Sequence, residues 1–223
     1  MHYDFNGHRF NFLHPANSNK FEEFLSFLVI EYDYRKSFWD PQSGETVLDI
    51  GVDAGSYALP ALAMGANVIA IDPRMESLNN LKRNVSMNPG FGRRLEVIQT
   101  ALDDKNGKIC FSAHGMWSTS NSSSCREKIN AKKLDDIGLD SPVDWMKIDT
   151  EGSELRILHG AEETILTHKP NMIIEAHLWH DKHMDRKIVS YLRSLNPRYG
   201  FQTVTDLWGM VASIKRIFVR NFD

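Results

Sequence analysis

The chain has 223 residues, a quarter of them charged, with a formal net charge of −3 and a pI near 6.3. That length suits one large domain, or a core with a short N-terminal extension, and suffices to bury a sizeable core. The charge balance lacks the basic footprint of a nucleic-acid binder, and no apolar run approaches the roughly 20 residues that span a bilayer, so neither nucleic acid nor membrane is an expected partner.

Tyr3 and Phe5, then Phe10 and Phe12, flank Asn6-Gly7, which is a hairpin signal. No basic segment followed by an apolar one stands at the N-terminus, so no signal peptide is expected and a cytoplasmic enzyme is the default. Asn19 to Glu22 has the form of a capping box, and Phe21, Phe24, Leu25, Leu28 and Tyr32 recur at helical spacing. They predict an amphipathic helix over 20–33. Residues 1–43 read as a hairpin-and-helix extension packing on the core, and 44–223 as the main domain.

Val47, Leu48 and Ile50 form an apolar strand that stops at Gly51; Gly55 follows, and Tyr57 to Met64 reads as a short helix ending at Gly65. Strand, glycine turn and helix start make the first βα unit of a nucleotide-binding sheet, with exposed amides offering donors to an acidic group. A dinucleotide fingerprint would need glycines where Asp53 and Ser56 stand. Asp49 followed by Gly51 and Gly55 instead suits S-adenosylmethionine, whose amino acid end presents an ammonium for a carboxylate and a carboxylate for amides. Asn67 to Ile71 is the second strand, ending at Asp72, about 20 residues past the glycines, where such folds place a carboxylate on ribose hydroxyls. Met75, Leu78, Leu81 and Val85 mark the next helix, and Leu95 to Ile98 the third strand. The turn after it, with Ala101 and Leu102, is placed over the adenine.

Lys108 to Ser112 reads as a short extra strand. His114 to Ser124, with five serines, is either a lid or a surface loop. Cys110 and Cys125 are expected to stay reduced, as a cytosolic enzyme keeps them. Met146 and Ile148 end a further strand whose tip carries Asp149, Glu151 and Glu154. The acids favour the start of a following helix through its dipole, but that leaves Asp149 and Lys147 unaccounted for. Leu155, Leu158, Ala161 and Ile165 continue that helix toward Lys169-Pro170. Asn171 to His177 is a strand with Glu175 and His177 on one side at its carboxyl end. His177, His180 and His183 recur every third residue, a spacing that does not put three ligands on one helical face. Met184 to Leu195 is a helix; Tyr199 to Val204 and Lys215 to Arg220 are the last strands, with Lys215, Arg216 and Arg220 read as a solvated face.

Taken together, Val47 to Gly51 with Gly55, Ile71 to Pro73, Ala101-Leu102, Lys133 to Asp136, Lys147 to Glu154, Leu158 to Ala161 and Ile174 to His177 resemble the FkbM-type methyltransferases. The resemblance covers roughly 44–180, and Lys147-Ile-Asp-Thr-Glu-Gly-Ser-Glu154 is its most specific part. The family usually shows asparagine where this chain has Asp53. The resemblance implies an α/β, doubly wound, mostly parallel seven-stranded sheet with an antiparallel last strand, S-adenosylmethionine as donor, and O-methylation of a hydroxyl on a sugar or natural product. Asp49, Gly51, Asp53, Gly55, Asp72, Ala101, Leu102 and Asp149 are then the cofactor-binding candidates. Asp149, Glu175 and His177 are the candidates for the base that takes the acceptor's proton, and Glu151 and His180 for substrate binding. His177 titrates nearest neutrality. A divalent ion such as Mg²⁺, held by Asp149 with Glu175 or His177, is an alternative that the pattern does not require. The rival readings are a nicotinamide-dependent oxidoreductase, a non-catalytic cofactor-binding protein, and a nucleic-acid methyltransferase, against which the lack of basic charge counts.

Overall fold

Every residue from Thr46 to Ile50 is buried, so this segment sits inside the sheet rather than at its edge. In the computed structural model seven strands, numbered in chain order, form one sheet in the order β12 (Tyr199–Thr205), β13 (Ile214–Asn221), β11 (Asn171–His177), β10 (Trp145–Ile148), β3 (Thr46–Ile50), β4 (Asn67–Ile71) and β5 (Leu95–Ile98). The structure describes residues 2–13, 38–112, 115–116, 125, 127–179, 181–205 and 214–222. The helix predicted over 20–33, His180, residues 206–213 and all of the Ser-rich stretch except 115–116 lie outside them. The chain divides into two compact units, Met1–Ile98 and Gln99–Asp223.

In the first unit, β1 (His2–Phe5) and β2 (His8–Asn11) pair antiparallel across the predicted Asn6-Gly7 turn, both with positive φ. Asn84 and Asn88 anchor this hairpin: their side-chain oxygens accept from the Leu13 and Asn11 amides at 2.7 and 2.6 Å. β3 (Thr46–Ile50), β4 (Asn67–Ile71) and β5 (Leu95–Ile98) run parallel; β3 and β4 are buried almost throughout, as strands covered on both faces are, while β5 is the partly exposed edge. Between them lie α1 (Ala58–Met64) and α2 (Met75–Ser86). α1 ends where Gly65, at φ 96°, turns its amide back onto Ala61 and Leu62. α2 buries Leu78, Leu81 and Val85 as the spacing predicts, while Met75 remains exposed.

In the second unit, β10 (Trp145–Ile148) and β11 (Asn171–His177) are parallel, and β13 (Ile214–Asn221) inserts antiparallel between β11 and β12 (Tyr199–Thr205). The reversed strand is therefore the last in sequence, as expected. Lys215, Arg216 and Arg220 do not form a solvated face. Lys215 pairs with Asp185, Arg216 with the buried Glu175, and Arg220 lies over the Trp145 ring. Glu175 lies on the adjacent strand β11, Trp145 on β10 and Asp185 on the helix Met184–Leu195, so each cation meets an acid or an aromatic ring.

A second, four-stranded sheet was only partly legible. β6 (Ala101–Leu102), β7 (Gly107–Ser112), β8 (Gly115–Met116) and β9 (Glu127–Lys132) assemble in the order β6-β9-β7-β8. The antiparallel β7–β9 ladder carries Cys110 opposite Lys128 and brings Cys125 to a Cα distance of 5.4 Å, within disulfide reach. The two cysteines are bonded, which corrects the expectation of free thiols. The ladder supplies a proximity that 15 residues of sequence separation do not show.

The helix expected to run from Leu155 through Ile165 is two: α3 (Glu154–His159) and α4 (Glu162–His168). The break has two causes. Asp135 takes over α4's first turn, accepting from the Glu163 amide at 3.1 Å and from Thr164's amide and hydroxyl at 2.9 and 2.8 Å. Its own amide donates to Gly160 O at 3.0 Å. Gly160 in turn packs so tightly that a Cβ there would stand 2.0 Å from Asp103 O. The Lys133–Asp136 and Leu158–Ala161 segments are thus two halves of one joint. α5 (Met184–Leu195) completes the unit.

Candidate active site

In the first unit the chain leaves β3 through Gly51 at φ 79°, Asp53 at 48° and Gly55 at 94°. Gly55 has no room for a side chain, since a Cβ would meet Leu81 Cδ1 at 2.5 Å. Close packing against α2 therefore demands this glycine as well as the turn's dihedral. Asp49 is fully buried on β3, and Asp72 is 1% exposed just past β4. Asp72 ties the turn to the neighbouring strand tip: Oδ2 accepts from the Val52 amide at 3.1 Å and Oδ1 from the Arg74 amide at 2.8 Å. Both oxygens also accept from the Arg74 guanidinium, Oδ1 from Nε at 3.3 Å and Oδ2 from an Nη at 3.5 Å, so a ligand hydroxyl binding here would displace this half-exposed side chain. Asp53, by contrast, points into solvent.

In the second unit Ala101 and Leu102 are buried, and their backbones belong to the β6–β9 ladder opposite Ala131 and Lys132. Asp103 is buried beside them and paired with Arg156 at 2.6 Å. Contact with an adenine would have to come from what that ladder leaves available.

The acids after β10 and the end of β11 do converge. His177 is 1% exposed; its Nδ1 lies 2.9 Å from Glu154 Oε1, and its Nε2 faces Glu151 Oε2 at 3.5 Å and Asp149 Oδ1 at 3.7 Å. Glu154, the first residue of α3, is completely buried, and the same Oε1 accepts from the Gly152 and Thr150 amides at 2.9 and 3.2 Å. Those donors close the turn that carries Glu151, whose φ of 57° is unusual for a residue with a side chain. Asp149 also has buried Lys147 at 3.7 Å. Of the candidates, Asp149, Glu151 and His177 come together. Glu175 turns to Arg216, which donates from Nε at 3.0 Å. His183 is exposed at the start of α5, and Asp181 accepts from its amide and from Lys187. The triple-histidine repeat therefore does not build a cluster among the described residues. Glu154 and Lys147 were absent from the candidate sites. Their signal was present in the Lys147–Glu154 block, but nothing linear shows that Glu154 reaches back to His177.

Electrostatics separates the roles. Burial raises Asp149 and the Glu175 charge raises it further; Lys147 and His177 only partly oppose this, leaving it at about 7. Burial alone would lower His177. The hydrogen bond and charge of Glu154, with Asp149 and Glu151, outweigh burial and push it up to about 9. Burial would raise Glu175, but Arg216, Lys147 and His177 hold it below the usual carboxylate range. At neutral pH the histidine is thus an imidazolium, and Asp149 is the group that titrates.

A doubly wound sheet with this strand order, and acids at the ends of its parallel strands, defines the Rossmann-like methyltransferase class. Residues 49–202 match the model of the methyltransferase FkbM domain, and the chain belongs to that family. A structure of methyltransferase FkbM from Methylobacillus flagellatus KT superposes with a TM-score of 0.61 at 22% identity, covering 93% of this chain and 56% of that one. An rRNA methylase from Streptococcus thermophilus shares the fold at a TM-score of 0.55 and 13% identity, over 87% of this chain and 95% of that one. Over 64 residues the chain is 33% identical to the mitochondrial ubiquinone biosynthesis O-methyltransferase of Bos taurus, a match spanning 29% of this chain and 17% of that protein. Family membership implies S-adenosylmethionine as the cofactor. The buried carboxylates of Asp49 and Asp72 in the first unit are donor-seeking groups compatible with it. No helix among the described residues is long and apolar enough to cross a membrane.

Proposed function

We propose that the protein is an S-adenosylmethionine-dependent O-methyltransferase acting on a hydroxyl of a sugar or small natural product. The observation that supports it most is the oriented Glu154–His177–Asp149 group, in which Asp149 is held near pH 7 beside a fixed imidazolium. In this reading the first unit binds the cofactor, Asp49 facing the ammonium, the Gly51–Gly55 turn the carboxylate and Asp72 the ribose. When bound, S-adenosylmethionine supplies an electrophilic methyl group, and the carbon–sulfur electron pair stays with sulfur. Asp149 accepts the acceptor hydroxyl's proton as the new oxygen–carbon bond forms, since a general base works best with a pKa near the operating pH. His177, already protonated, holds that carboxylate in place by its charge, at 3.7 Å, and cannot itself take the proton. This shifts the base from His177, the group closest to neutrality in a free chain, to Asp149. Glu151 stands at the exposed rim, where it can meet the acceptor's other hydroxyls.

Calorimetric titration with S-adenosylmethionine and, separately, with nicotinamide cofactors tests the reading. Saturable binding of S-adenosylmethionine alone is expected. Asp72→Ala should weaken it about 10-fold or more, the scale of hydrogen bonds to a charged group, in a variant whose melting curve shows it folded. Absence of S-adenosylmethionine binding would overturn the assignment.

A further inference from the structure

The imidazole edge at His177 Nε2 has a use that proton transfer leaves open. His177 is 99% buried, yet Nε2 makes no hydrogen bond among the described residues: its nearest oxygens, at 3.5 and 3.7 Å, lie beyond hydrogen-bond length. Those separations do suit atoms sharing one cation. With metal–nitrogen and metal–oxygen bonds of about 2.0–2.2 Å, two ligands at a tetrahedral angle stand about 3.4 Å apart. One oxygen each from Asp149 and Glu151 and a nitrogen from His177 all lie within 4.8 Å of one another. We propose that Asp149, Glu151 and His177 form a divalent transition-metal site with open positions for an acceptor's oxygens.

The surroundings are those of a metal-bound histidine. Such a ligand usually gives its other ring nitrogen to a carboxylate that fixes tautomer and orientation. Glu154 does this at 2.9 Å, itself held by two backbone amides. The ring cannot turn away, because Trp179 packs against it with centroids 4.6 Å apart. One nitrogen with two carboxylate oxygens favours manganese, cobalt or zinc over magnesium, which prefers an all-oxygen shell. Ligation uses the Nε2 lone pair, so the proton there leaves to solvent as the ion enters. Glu151 is half exposed, so the side of the group that faces solvent is where an acceptor's oxygens would approach. With the ion bound, Asp149 and His177 are ligands rather than base and imidazolium, and the ion would bind the acceptor hydroxyl and make it more acidic in their place; that role rests on the O-methyltransferase reading, whereas the ion's binding does not.

The test is Mn²⁺ alone, added to EDTA-treated full-length protein, with free Mn²⁺ followed by its electron paramagnetic resonance signal. One ion bound per chain is expected. Glu151→Gln and Asp149→Asn should each weaken binding at least about 10-fold, and Glu154→Gln about 10- to 100-fold, the usual effect of losing a histidine's orienting partner. Glu96→Gln, exposed in the other unit, should leave binding unchanged. Free Mn²⁺ undiminished by stoichiometric protein, or binding indifferent to all three site variants while each remains folded by circular dichroism, would overturn the proposal. Since no cofactor or acceptor is present, this result is independent of the S-adenosylmethionine titration, and either can fail without the other.

Discussion

Replacing Glu154 by Gln keeps the shape of the side chain and removes one charge from a fully buried position. In metal-free protein His177 is raised from 6.5 to about 9, chiefly through Glu154 once burial has been overcome. A rise of that size, at about 1.36 kcal/mol per unit, makes the imidazolium worth about 3 kcal/mol to the fold. Because the folded value is the higher one, the stabilisation is complete below pH 6.5 and is lost as pH rises through 9. Asp149, raised from 3.8 to about 7, also loses stability with rising pH, but its loss is complete near 7. Melting between pH 7.5 and 9 therefore isolates the histidine, with both limits set by these two values. Glu154→Gln should lower the His177 pKa by at least about one unit, roughly 1.4 kcal/mol, read from its ring proton shift in an NMR titration with EDTA present. The fall in melting temperature across that pH window should shrink in parallel. A histidine still titrating near 9 in the variant would refute the claim that Glu154 holds the proton there.

The joint between α3 and α4 makes two further expectations. Gly160→Ala forces a methyl group to 2.0 Å from Asp103 O, where backbone cannot yield cheaply. Overpacking of this kind costs about 1–3 kcal/mol, so the melting temperature should fall by several degrees; an unchanged melt would mean the joint is loose. Asp135→Ala strips the amides of Glu163 and Thr164 of their acceptor. A loss of about 0.5–2 kcal/mol in urea unfolding, as for other helix caps, is expected, with faster hydrogen exchange at those two amides.

Much of the fold was legible because local signals agreed with the global one. β4, β5 and β11 have the limits read from the sequence, each a short apolar run closed by a turn or a polar tip. Gly65 stops α1 where a left-handed cap was due. The readings that failed were those decided by partners distant in sequence. A helical pattern continues through Gly160, and only Asp135, 28 and 29 residues from its partners, ends one helix and starts another. Two cysteines look like free thiols until β7 and β9 pair.

The candidate site divides the same way. Residue identity alone established that acids stand at the ends of β3, β4 and β10, because strand periodicity says where a strand stops and which residue follows. It also marked the Lys147–Glu154 block as more than a helix start. Tertiary structure decided what each acid does: Glu175 neutralised by Arg216, Glu154 buried against Nδ1 of His177, Asp149 and Glu151 gathered at Nε2. A pKa depends on burial and on charges a few ångströms away in any direction, and neither is a property of linear spacing. For that reason the sequence could name the groups that titrate, while only the folded chain could assign the proton.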